Sequence, residues 1–108
     1  MSMKIPCVAK VLDNNQLVLN IGSCDDVVIG QRFLIYGLSD DEIIDPITHE
    51  SLGHLELVRG TGSVIFIQEK MCIIKSDSTS TLFATVSDLL NPSPFSNPQE
   101  GDYAREIQ

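Results

Sequence analysis

The chain has 108 residues, the size of one domain, which removes only roughly two-thirds of its unfolded surface and leaves little room for a deep, dry catalytic cavity. Fifteen carboxylates against seven Lys and Arg give a formal net charge of -8. The seven cations, Lys4, Lys10, Arg32, Arg59, Lys70, Lys75 and Arg105, are scattered without a run, so direct nucleic-acid binding and adhesion to an anionic membrane surface are both disfavoured.

Ile5 to Leu12 is rich in β-branched and aliphatic residues and stops at Asp13, Asn14 and Asn15, which tolerate left-handed backbone and hydrogen-bond their own main chain. Gln16 to Ile21 resumes with Leu17, Leu19 and Ile21 on one face, and alternation on both sides of a short turn predicts a β-hairpin. Gly22 and Gly30 bracket the next stretch; glycines so placed supply positive φ or let another backbone come close. Phe33 to Tyr36 predicts a strand, Leu38 to Glu42 an acidic loop, and Ile43 and Ile44 a second short strand. Asp45 to Gly53 reads as a turn in which Pro46 fixes φ, Asp45 caps and Gly53 permits a bulge. Leu55 and Leu57 share one face of the next strand, with His54 and Glu56 on the other. Gly60 and Gly62 punctuate, Ser63 to Gln68 is the most strongly β-like run, Glu69-Lys70 is a turn, and Met71 to Ile74 is a further strand.

Ser76 to Thr81 is read as a loop. Leu82, Val86, Leu89 and Leu90 stand at helical spacing and predict one short C-terminal helix, stopped by Asn91-Pro92. Pro92 to Pro98 reads as extended, and Gly101 to Ile107 as either a last strand or a frayed tail. Gly30-Gln31-Arg32-Phe33 and Gly101-Asp102-Tyr103-Ala104-Arg105 echo each other, which two strands entering after equivalent turns would produce and chance would too. The expected fold is mostly β: a small antiparallel β-barrel with its body over residues 1–75 and a C-terminal extension, 76–108, packed on it as part of one domain.

Chemistry has few places to reside. His49, His54 and Asp45, with Glu50 nearby, have the donor types that suit zinc, but not the spacing of a known zinc signature. Asp40, Asp41, Glu42 and Asp45 lack the alternation of a calcium loop. Cys7, Cys24 and Cys72 form no C-x-x-C pair and read as reduced thiols. Cys24 follows Gly22 and Ser23 but precedes two acids, which disfavour a thiolate nucleophile. Gly60-Thr61-Gly62 lacks the third glycine and the following helix of a phosphate-binding loop. No catalytic residue and no cofactor are therefore expected. Phe95 stands in a Pro/Ser segment, where it either staples the tail to the body or, with Tyr103, offers an anchor to a partner.

The run Leu17-Val18-Leu19-Asn20-Ile21-Gly22-Ser23, then Val28-Ile29-Gly30-Gln31-Arg32-Phe33, then Asp45-Pro46-Ile47-Thr48-His49-Glu50-Ser51-Leu52-Gly53, resembles the small β-barrel domain at the C-terminus of the bacterial flagellar assembly protein T. The resemblance covers roughly residues 8–75 and consists mostly of turn chemistry. His49 stands where that family carries glycine, and Val27-Val28 replaces a glycine-valine. The resemblance implies a structural or protein-binding module.

The expected function is a non-enzymatic β-barrel module for protein–protein interaction or homo-oligomer assembly. The alternative is a small-ligand or metal-binding domain using His49, His54 and the nearby carboxylates. Met1 to Pro6 has one lysine and no apolar run, so a complete chain is expected in the cytoplasm and without membrane insertion; a fragment of a longer exported chain would belong to the envelope.

Overall fold

A computed structural model describes residues 4–77 and 94–108. Six strands, all antiparallel to their neighbours, form one sheet: β1 (Val8–Val11), β2 (Gln16–Leu19), β3 (Arg32–Ile44), β4 (Ser51–Ile67), β5 (Cys72–Ser76) and β6 (Tyr103–Ile107), in the order β1-β2-β5-β4-β3-β6. The predicted C-terminal helix over residues 82–90 lies outside the described residues.

The first hairpin forms where the turn chemistry places it. Asp13 Oδ1 accepts the amides of Asn15 at 2.7 Å and Gln16 at 2.8 Å, so the side chain satisfies donors that a three-residue turn leaves free. Leu17 and Leu19 then point to the same side and are fully buried with Val8, Ile35, Val64, Cys72 and Ile74. Burying each of these aliphatic side chains contributes about 1.5–3 kcal/mol, which fixes the register of every strand, because a one-residue slip would turn the set to water. The buried residues form one core cluster, to which Phe95 and Ala104 also belong.

The ends of the sheet come together on one side. Cys7 bridges to Tyr103, Val8 N–H donates to Asp102 O at 2.7 Å, Gly101 N–H to Val8 O at 2.8 Å, and Ala104 N–H to Pro6 O at 3.0 Å. Gly101 to Ile107 thus ends in a strand that pairs with β3 from Arg32↔Ile107 to Tyr36↔Tyr103. The sequence echo has a structural counterpart: Gly30 and Gly101 have φ of 87° and 91°, and β3 and β6 each begin two residues later.

Gly22 serves differently. Its φ is -150°, ordinary extended backbone, and the glycine is required by close approach instead. A Cβ built on it would stand 2.2 Å from Gln68 O and 2.6 Å from Met71 N.

Three readings of the sequence are corrected here. Leu38 to Glu42 is not a loop, nor are Ile43 and Ile44 a separate strand; all belong to the 13-residue β3. The register shifts between Leu38 and Glu42, and this bulge interrupts the alternation that marks a strand. Gly60 and Gly62 do not end a strand either, since β4 runs unbroken through 17 residues. They are the seat of Phe95: a Cβ at Gly62 would meet its Cζ at 2.9 Å, and one at Gly60 its Cδ1 at 3.2 Å. Ser76, read as the start of a loop, is the buried last residue of β5.

Candidate functional site

The two longest strands are longer than the sheet they belong to. β3 pairs with β6 only from Arg32 to Tyr36, and β4 pairs with β5 only from Gly62 to Ile67. From Gly37↔Leu57 outward, β3 and β4 pair with each other alone. Residues 38–57 therefore form a two-stranded arm with free backbone edges among the described residues.

A bulge and a capped turn shape the arm. In the bulge, Ser39 Oγ donates to Asp41 O at 2.9 Å and accepts Leu55 N–H at 3.0 Å, while His54 Nδ1 lies 2.8 Å from Ser39 O. At the tip, Asp45 Oδ1 accepts the amides of Ile47 at 2.7 Å and Thr48 at 3.2 Å. These two bonds hold the Asp45 carboxyl below its ordinary pKa, so it is ionised at neutral pH. His49 closes the turn at φ 64°, the left-handed conformation in which glycine is free of strain.

The arm's surface is what distinguishes it. Leu38, Ile43, Ile44, Ile47, Leu52, Leu55, Leu57 and Val58 are all exposed, Ile47 at 86%, Leu52 at 63% and Leu55 and Val58 at 58% each. Register sorts several of them: Ile43, Leu55 and Leu57 lie on one face, Leu38 and Val58 on the other. Between residues 38 and 58 stand six carboxylates, Asp40, Asp41, Glu42, Asp45, Glu50 and Glu56, and no Lys or Arg.

The base of the arm is locked to the C-terminal segment. Arg59 is the extra residue of a second bulge, between Ile35 and Tyr36 on the partner strand. Its Nε lies 3.1 Å from Asp102 Oδ2, with the two side chains only 14% and 7% exposed. Asp102 also accepts Gln99 N–H at 2.8 Å, and Arg59 O accepts Ser96 N–H at 2.7 Å. Gly37 makes room for the pair, because a Cβ there would stand 2.7 Å from both Arg59 Nη2 and Asp102 Oδ1. By contrast Arg105–Glu56, at 3.6 Å and half exposed, contributes at most about 1 kcal/mol.

The residues expected to carry chemistry are not assembled. No group of three or more His, Cys, Asp or Glu side chains able to hold a metal occurs among the described residues. His54 is engaged by the bulge, and His49 and Asp45 serve the turn. Cys24 is exposed, 3.8 Å from Glu69 Oε1. Cys72 is buried, and burial pushes its thiol up to about 11, which keeps it protonated and unreactive. A cleft of about 450 Å³ lies between the Ser23–Asp25 turn and Glu106. Among its polar groups, Lys4 pairs with Asp25 at 3.7 Å and Gln31 with Glu106.

Of the two aromatic anchors, Phe95 is 3% exposed inside the core, so it is the staple and not a free anchor. The glycines beneath it explain why a Pro/Ser segment can bury a ring. Tyr103 is half-buried, its ring centroid 5.5 Å from that of Tyr36, over which Arg105 lies at 5.1 Å. The arm itself escaped sequence reasoning, although Leu52, Leu55, Leu57 and Val58 within 20 residues of the turn were a visible signal. No helix among the described residues is long and apolar enough to cross a membrane. No protein-family model matches this sequence, and no curated protein matches it.

Proposed function

We propose that the chain is a non-enzymatic binding module: a small antiparallel β-barrel whose β3–β4 arm docks on protein, either a partner or a second copy of itself. The observation that carries this reading is the number of aliphatic side chains that the arm exposes on its two faces and at its tip. Single exposed aliphatics are ordinary. Eight of them on one two-stranded ribbon are not, since an isolated hairpin is marginal in water and large apolar patches mark interaction sites. The body supports the same reading. An isolated bridge joins Cys7 to Tyr103 at the outer strands of the sheet, which supports the barrel reading, and the buried Arg59–Asp102 pair ties the arm's base to the C-terminal segment. The likeness of residues 8–75 to the flagellar assembly protein T domain points the same way. Three unpaired cysteines suit a reducing cytoplasm.

The test is removal of the arm. Joining Gly37 to Leu57 through Asn-Gly in place of residues 38–56 makes a two-residue hairpin of the type that suits antiparallel strands. The shortened chain is expected to melt cooperatively, with a β-type circular dichroism spectrum, and to lose its association with other protein chains, self or foreign. A shortened chain that retains every association of the full chain would refute the proposal.

A further inference from the structure

Among the described residues the β4 edge of the arm is open and self-complementary, and from it we infer that the arm's occupant is a second copy of this chain, added antiparallel along β4 about a two-fold axis at Leu55. This rests on the arm being the binding element and names what it binds.

Leu55 N–H turns toward β3, where Ser39 Oγ accepts it. Alternation along a strand then points the amides of His54 and Glu56 to the open side. Two copies meeting on this side and centred on Leu55 place His54 opposite Glu56 of the second copy, and Glu56 opposite its His54, as hydrogen-bonded pairs. The same register puts Leu52 opposite Val58, Leu57 opposite Gly53, and Leu55 opposite itself at the closer, non-hydrogen-bonded spacing. Every pair is apolar with apolar or acid with imidazole. The alternatives that use the same amides are worse: centring on Glu56 sets two carboxylates face to face, centring on His54 sets two imidazoles together, centring on Gly53 sets Glu56 against Glu50, and centring on Leu57 sets Glu56 against Val58.

The other edge of the arm is closed to such pairing. β3 carries Asp40, Asp41 and Glu42 beside the bulge, two devices that block edge-to-edge association. The contrast between a guarded edge and an open one selects β4. In the resulting order β3-β4-β4-β3 the two acidic runs lie outermost. They are three strand spacings apart, about 14 Å, which exceeds the screening length of about 8 Å at physiological ionic strength. The net charge of -8 therefore does not forbid the pair, though at low salt it opposes it.

Sedimentation equilibrium of the full chain tests this. The wild type is expected to approach twice its 11.9 kDa protomer mass as concentration rises, more readily at physiological than at low salt. His54→Glu alone sets Glu against Glu twice, and Glu56→Lys alone sets Lys against His twice; each weakens association about tenfold or more. An equal mixture of the two variants restores Glu–Lys and His–Glu pairs, and a heterodimer forms. Both positions are exposed, but His54→Glu also removes the contact with Ser39 O and Glu56→Lys the pair with Arg105, so the heterodimer formed in the mixture, which lost folding would not restore, separates lost pairing from lost folding. A wild type that keeps its protomer mass throughout its soluble range overturns the inference, as do variants that associate like the wild type. If the variants associate normally while the arm-shortened chain is monomeric, the register is wrong and the arm reading stands. If the shortened chain still dimerises, both fall.

Discussion

Gly22→Ala is expected to cost the fold about 3–5 kcal/mol, a loss on the scale of the whole stability of a domain this size, which is about 5–15 kcal/mol. The added Cβ would lie 2.2 Å from Gln68 O, 2.6 Å from Met71 N and 2.7 Å from Glu69 O. All three are backbone atoms, so no side chain can swing aside. Relief requires the chain after β2 to part from the β4–β5 turn. That would break Ser23 N–H to Gln68 O, at 2.9 Å, and Cys24 N–H to Glu69 O, at 3.1 Å. Two hydrogen bonds at about 1 kcal/mol each add to an overpacking cost of about 1–3 kcal/mol. Gly30→Ala is the control. Its φ is 87° but nothing lies within 4 Å of the added Cβ, so only backbone strain of about 1–2 kcal/mol applies. Thermal unfolding should show Gly22→Ala melting far below Gly30→Ala. Equal losses would mean that close approach is not what Gly22 provides.

The second large effect is expected at the base of the arm. Asp102→Ala removes the partner of Arg59 where both side chains are nearly dry, and leaves a buried guanidinium uncompensated at a cost of about 3–5 kcal/mol. It also takes the acceptor from Gln99 N–H. The double variant Arg59→Met with Asp102→Asn keeps that acceptor and removes the charge, and should be more stable than Asp102→Ala alone. Chemical denaturation of Arg59→Met, of Asp102→Asn and of the two combined measures the coupling. Additive losses would show that Arg59 and Asp102 do not act as a pair.

Asp13, Asp45 and the alternation of β2 were legible because turn chemistry and period-two burial are local. Gly30 and Gly101 were legible as matched strand entries for the same reason. The arm was hidden by its own bulge: three residues, Ser39 to Asp41, stand opposite one, and that breaks the alternation within an acidic run. Gly60 and Gly62 looked like strand ends because nothing nearby reveals that Phe95, more than 30 residues later, needs their missing side chains. Arg59 and Asp102 are 43 residues apart, and Gly22 is constrained by a turn at 68–71. Such pairings exist only once the sheet has formed. The histidines drew attention by their chemistry, yet the fold spends them on a bulge and a turn.

The claim that the arm is the protein-binding element is tested most directly by photo-crosslinking in living cells. A photoreactive residue replacing Leu55, on the arm, is compared with one replacing Cys24, at the rim of the cleft. The account predicts discrete protein adducts from position 55, with an adduct of two copies of this chain among them, and none from position 24. Adducts from position 24 with none from position 55 would contradict it.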